Sequence, residues 1–233
     1  MSSMQKIKTY TASTKMCDLI SENYNMLLLI FRFEIPLGVG EKTIREICEE
    51  NDVDEKTFLF IVNFLLYREG KDASDLHKSL SMPLIIRYLQ NSHNYFLDYR
   101  LPTIRLNLFS AIEGCPPDVT YAIRKFYDEY VEEVNKHMQY ENKYVFPYVE
   151  KLLEGNKDSK YSIEIFRKRH DQVELKMMEL KNILIKYYPA QSGYKLNTVL
   201  HDIFSCEEEL KDHNDVEDHI FTPAIIELEK EFM

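Results

Sequence analysis

Beyond residue 79 the chain carries clusters of helix-breaking residues at only three places, and that spacing restricts its fold more than any other feature. The clusters are Gly114-Cys115-Pro116-Pro117, Gly155-Asn156-Lys157-Asp158 and Pro189-Ala190-Gln191-Ser192-Gly193. Helical hydrophobic patterns fill the intervals, over about 80–113, 118–154, 159–187 and 195–231. At 1.5 Å rise per residue each makes a rod roughly 40–55 Å long. Turns this short join antiparallel neighbours. The pattern predicts an all-α, antiparallel up-down-up-down four-helix bundle over 79–233. Pro102 falls inside the first rod and predicts a kink there. With 6 Gly and 8 Pro in 233 residues, the chain has too few turn formers for an all-β fold.

Residues 1–75 read as a small helical N-terminal domain. The stretch 13–33 has the near-continuous apolar content of one buried helix, and Pro36, Gly38 and Gly40 then mark a loop. A second helix is expected over 41–51. A third begins near Asp54 and carries Phe58, Ile61, Val62 and Leu65 at helical spacing. Residues 70–78 are polar and read as a linker. The last two helices have the outline of a helix-turn-helix, which leaves a DNA-binding regulator as an alternative. Residues 1–78 hold 10 Lys/Arg against 13 Asp/Glu, however, so the basic footprint of a DNA reader is missing. The net charge of −10 speaks against nucleic acid and against an anionic membrane as partners. The longest apolar run, residues 26–31, is too short to span a bilayer, and the first ten residues lead into no apolar signal segment. Four widely spaced cysteines suit a reducing, cytoplasmic setting and form no thiolate zinc site.

The histidines carry the chemistry. His137-x3-Glu141 and His213-x3-Glu217 place imidazole and carboxylate on one helix face, about 40° apart and roughly 6 Å along the axis. Each has a glutamate four residues upstream (Glu133, Glu209) and a proline six residues downstream of the motif (Pro147, Pro223). Glu-x3-His-x3-Glu-x5-Pro thus occurs twice, on the second and fourth rods. His93 lies 44 residues before His137, and His170 lies 43 before His213. The midpoints of these intervals fall in the breaker-rich turns, and residues equidistant from a turn lie level in an antiparallel bundle. A single His-x3-Glu is commonly a solvated ion pair. Two with matching flanks, levelled with two more histidines, predict a carboxylate-bridged dinuclear metal centre.

In that centre His93, His137, His170 and His213 are terminal ligands, and Glu141 and Glu217 bridge. The donor set favours iron ahead of manganese or zinc. Two iron ions so held keep positions open for an oxo or hydroxo bridge, O2 or nitric oxide. Glu133 and Glu209 are candidates for acids beside the centre or a proton route, with solvated helix charge as the alternative. Glu174 repeats the His-x3-Glu spacing after His170 but lacks the proline. His77, His201 and His219 fall outside the constellation.

This set of residues resembles the hemerythrin-like family, and within it the iron–sulfur cluster repair di-iron proteins. His93, His137-x3-Glu141, His170 and His213-x3-Glu217 match four-His, two-Glu di-iron coordination residue by residue. Leu101-Pro102 and Phe146-Pro147 are similar to family landmarks, and Glu133 stands where repair-type members carry an acid. The second acid, expected just before the third histidine, is Arg169 here. The N-terminal loop that carries Cys-Cys-Gly-Gly in such proteins reads Leu37-Gly38-Val39-Gly40, without thiols. The resemblance implies a stress-response di-iron protein that binds or donates iron, or reacts with nitric oxide or O2, in support of damaged iron–sulfur client proteins. It is also compatible with a homodimer, and with an O2 or nitric-oxide sensor or iron store.

Overall fold

The computed structural model describes residues 9–68, 76–156, 161–167, 173–187 and 193–232. Among them the architecture is all-α. The N-terminal part contributes α1 (Met16–Glu22), α2 (Met26–Arg32), α3 (Ile44–Glu50) and α4 (Glu55–Tyr67). The expected single helix over 13–33 is two. Asn23 turns its amide back onto the Leu19 carbonyl and the Tyr10 hydroxyl, and Tyr10 in turn donates to Glu22 at 2.5 Å. These local bonds compete with continued helix and end α1. Thr43 starts α3 with a reciprocal capping box to Glu46, and Asp54 caps α4.

After α5 (Leu76–Ser79), the first rod consists of α6 (Met82–Asn94) and α7 (Leu101–Ala111). The second is α8 (Pro117–Tyr140) and α9 (Phe146–Leu153), and the third contains α10 (Ile163–Arg167) and α11 (Val173–Tyr187). The fourth is α12 (Gly193–Val216) and α13 (Thr222–Lys230). Contacts of α7 with α8, α8 with α11, α11 with α12 and α12 with α7 close the ring of a four-helix bundle. No helix among the described residues is long and apolar enough to cross a membrane.

Among the described residues, rods widen into a π-helical turn at Tyr95–Arg100, Glu141–Val145 and Glu217–Phe221. Each closes with an i→i+5 bond: Leu101 N–H to Phe96 O, Phe146 N–H to Glu141 O and Thr222 N–H to Glu217 O. Pro102, Pro147 and Pro223 follow at once, at the start of the next α-segment. A proline has no N–H for the carbonyl four residues back, and its ring presses on that carbonyl. Widening the preceding turn relieves the clash, so the kink predicted at Pro102 is a π-turn, and the same device recurs before Pro147 and Pro223.

Among the described residues, two apolar cores fill the bundle. One joins Phe96, Leu101, Tyr127, Met138, Leu180, Ile203 and Leu210. The other joins Leu89, Val145, Phe146, Phe166, Val216 and Phe221 to the N-terminal side chains Leu29, Phe33, Phe58 and Val62. The N-terminal helices are thus packed into the second core. Arg32 of α2 is wholly enclosed there, its guanidinium 5.4–6.0 Å from the rings of Tyr88, Tyr95 and Phe96. Arg68, left-handed at the end of α4, clamps Asp212 and Asp215 of α12.

Candidate metal centre

Among the described residues, four polar side chains meet where the two apolar cores part. His93 ends α6, Glu141 opens the second π-turn, His213 lies in the last turn of α12, and Glu217 opens the third π-turn. All four are fully buried, and one donor atom from each lies within 4.8 Å of the others. His93 Nε2 is 3.0 Å from Glu141 Oε2 and 4.0 Å from Glu217 Oε1. His213 Nε2 is 3.3 Å from the same Glu217 oxygen. His137, one turn before Glu141, puts Nε2 2.9 Å from the other carboxylate oxygen, Oε1. The two oxygens of Glu141 therefore face different histidines.

Such burial is costly for charge unless the charges are compensated. At His93 desolvation opposes protonation, but the contacts with Glu141, and then with Glu217 and Asn142, outweigh it and raise the pKa above the ordinary value. At His213 desolvation prevails and lowers the pKa despite Glu217. Both ring nitrogens of His213, and Nε2 of His93, are buried without a hydrogen-bond partner among the described residues. Nitrogen donors crowded against carboxylate oxygens, yet outside hydrogen-bond geometry, fit a cation between them. Imidazole plus carboxylate without thiolate is the donor set of iron or manganese.

Aromatic rings wall the layer. Phe146 stacks on His93 with centroids 5.5 Å apart, Phe96 meets His213 edge-on at 6.0 Å, and Phe221 packs on Phe146 at 5.8 Å. Phe166, from α10, stacks on His137 at 6.3 Å. The aromatic residues that precede the motif prolines thus line the layer. Phe166 carried no distinguishing signal in the sequence. Nor did Asn142, whose Oδ1 lies 2.9 Å from His93 Nδ1.

The remaining candidates divide. Glu209 is engaged by the Tyr95 hydroxyl at 3.0 Å, Ser205 Oγ at 2.7 Å and Arg100 Nη2 at 3.3 Å, and is not one of the four converging groups. Glu133 is half-buried on α8 and also stands outside that group. His201 and His219 are exposed, and the His219 ring lies 5.8 Å from Phe64. His170 and Arg169, and the side chains of Glu174 and His77, lie outside the described residues.

A buried imidazole–carboxylate layer inside a four-helix bundle defines the class, a helical cation-binding protein. The chain belongs to the hemerythrin HHE cation-binding domain family, whose model matches residues 84–225. That span runs from before His93 to just beyond Pro223. The chain is also similar to the iron–sulfur cluster repair protein ScdA of Staphylococcus haemolyticus (strain JCSC1435), with 21% identity over 187 residues, 78% of this chain and 83% of that one.

Proposed function

We propose that this chain is a cytoplasmic non-haem di-iron protein that supports repair of iron–sulfur clusters damaged by oxidative or nitrosative stress. The observation that carries the reading is Glu141, buried with one oxygen toward His93 and the other toward His137. A carboxylate so placed can serve two metal positions at once. His93, His137, His170 and His213 would supply the nitrogen donors, and Glu141 and Glu217 the carboxylates, of a two-metal centre. Bound iron would supply one-electron chemistry and open positions for O2 or nitric oxide. The residues supply the rest. Phe96, Phe146 and Phe221 exclude water, and the paired carboxylates balance a change in metal charge. The likeness to a repair protein supports the assignment to clusters over a general iron store.

The test is reactivation of a dehydratase whose cluster has been damaged by peroxide or nitric oxide. Reduced, iron-loaded protein is expected to restore activity and Glu141→Leu to fail. A fully loaded wild-type protein that restores nothing overturns the repair role. A gas sensor is favoured by a separate observation, the insertion of Arg32 and the Arg68 clamp against the helices that bear His93 and His213. It predicts altered hydrogen exchange in α2 and α4 on adding O2 or nitric oxide, without reactivation.

A further inference from the structure

We propose that Asn142 is a positioning residue that selects the tautomer of His93 and so decides which ring nitrogen faces the centre. This rests on the metal-centre reading above. Asn142 Oδ1 lies 2.9 Å from His93 Nδ1, and His93 is wholly buried. An amide oxygen only accepts, so Nδ1 carries the proton and, in the neutral ring, Nε2 keeps its lone pair. The opposite tautomer would place a hydrogen on Nε2. That atom lies 3.0 Å from Glu141 Oε2, in the layer read as the metal centre. Nδ1 would then turn a lone pair toward the Asn142 oxygen, leaving two acceptors face to face in a buried site.

Chain geometry makes the arrangement compact. Glu141 and Asn142 are consecutive at the start of a π-turn, and both reach the same imidazole, one at each nitrogen. The acceptor that orients His93 and the carboxylate beside its donor nitrogen therefore move together. Nothing in the duplicated motif imposes an amide here, because the corresponding residue after Glu217 is Asp218. In metal sites the hydrogen-bond partner of the second imidazole nitrogen sets ring orientation and basicity, and its loss typically costs about 10–100-fold in metal affinity.

The experiment uses the full chain with histidines labelled by 15N. Long-range proton–nitrogen NMR of the metal-free protein, with the His93 ring neutral, reports the tautomer directly and needs no metal to bind. Wild type is expected to show His93 protonated at Nδ1, and Asn142→Leu a mixture of tautomers. Zn(II), a diamagnetic probe, should then bind Asn142→Leu about 10–100-fold more weakly than wild type, with Asn142→Asp restoring affinity because a carboxylate also accepts. A His93 proton on Nε2 in wild type overturns the proposal. So does a Leu variant with unchanged tautomer, or an Asp variant as weak as the Leu one, which would make the role one of shape. Failure of wild type to bind zinc or iron would instead strike the metal-centre reading and leave the tautomer result standing.

Discussion

Replacing Glu141 with glutamine should leave the metal-free protein about as stable as before, or more so, while removing the stabilisation that metal confers. One carboxylate oxygen of Glu141 lies within 4.8 Å of one from Glu217, in a layer closed to solvent. At an effective dielectric of about 20, like charges at that separation repel by about 3 kcal/mol. The raised proton affinity of His93 partly offsets this in the empty layer. Glutamine keeps the shape and relieves both this repulsion and the desolvation of a buried carboxylate, which together offset the lost attraction to His93. Metal present at 100 times its Kd would add about 2.7 kcal/mol to wild type. For a chain of this length that is a rise in Tm of about 5–11 °C. Calorimetric melts with and without anaerobic Fe(II) should show this rise in wild type and less than half of it in Glu141→Gln. The reasoning is refuted if the variant keeps the full rise. It is equally refuted if its metal-free form melts more than about 10 °C below wild type, a loss of roughly 3–5 kcal/mol that would make Glu141 a structural ion-pair partner.

Other expectations follow from groups away from the layer. Buried Glu229 accepts from the Tyr148 hydroxyl at 2.5 Å, Ser162 Oγ at 3.2 Å and the Ile163 amide at 2.9 Å, pinning the start of the third rod to α13. Glu229→Ala should cost about 3 kcal/mol in urea unfolding of metal-free protein, since a hydrogen bond to a charged group contributes about 1.5–3 kcal/mol, and a loss below about 0.5 would contradict this role. Arg68→Met removes a half-exposed clamp and should lower global stability by no more than about 1 kcal/mol, yet quicken amide exchange at the end of α4. Unchanged exchange there would show that the clamp does not hold the N-terminal helices. Burial pushes the Cys48 and Cys206 thiols up to about 12, so both stay protonated at pH 8. Thiol titration should therefore find Cys17 and Cys115 reactive in native protein and the other two only after unfolding. Four fast thiols would contradict the packing.

The bundle was legible because its signals are local. Proline and glycine clusters end helices, and the long amphipathic stretches between them bury their apolar faces largely against each other. Equal chain distances from those turns bring His93, Glu141, His213 and Glu217 to one level, since antiparallel helices rise equally on both sides of a turn. The break at Asn23 was not legible, because it depends on Tyr10, thirteen residues away and on no shared helix face. Pro102 announced a disturbance but not its form, and Pro147 and Pro223 were read only as flanks of the motifs. Whether a helix kinks or widens depends on packing around the strained carbonyl, which only the assembled bundle supplies. Nothing in the sequence singles out Arg32, and its place among Tyr88, Tyr95 and Phe96 arises from tertiary contact alone. Asn142 was hidden for the same reason, as its partner His93 lies 49 residues away on another rod.

The central claim is that the buried layer holds two metal ions, and metal content tests it most directly. After anaerobic loading with Fe(II) and removal of excess, elemental analysis should find about two irons per chain, with an ultraviolet–visible spectrum that changes on admitting O2. A well-folded protein that retains less than about half an equivalent would contradict the claim.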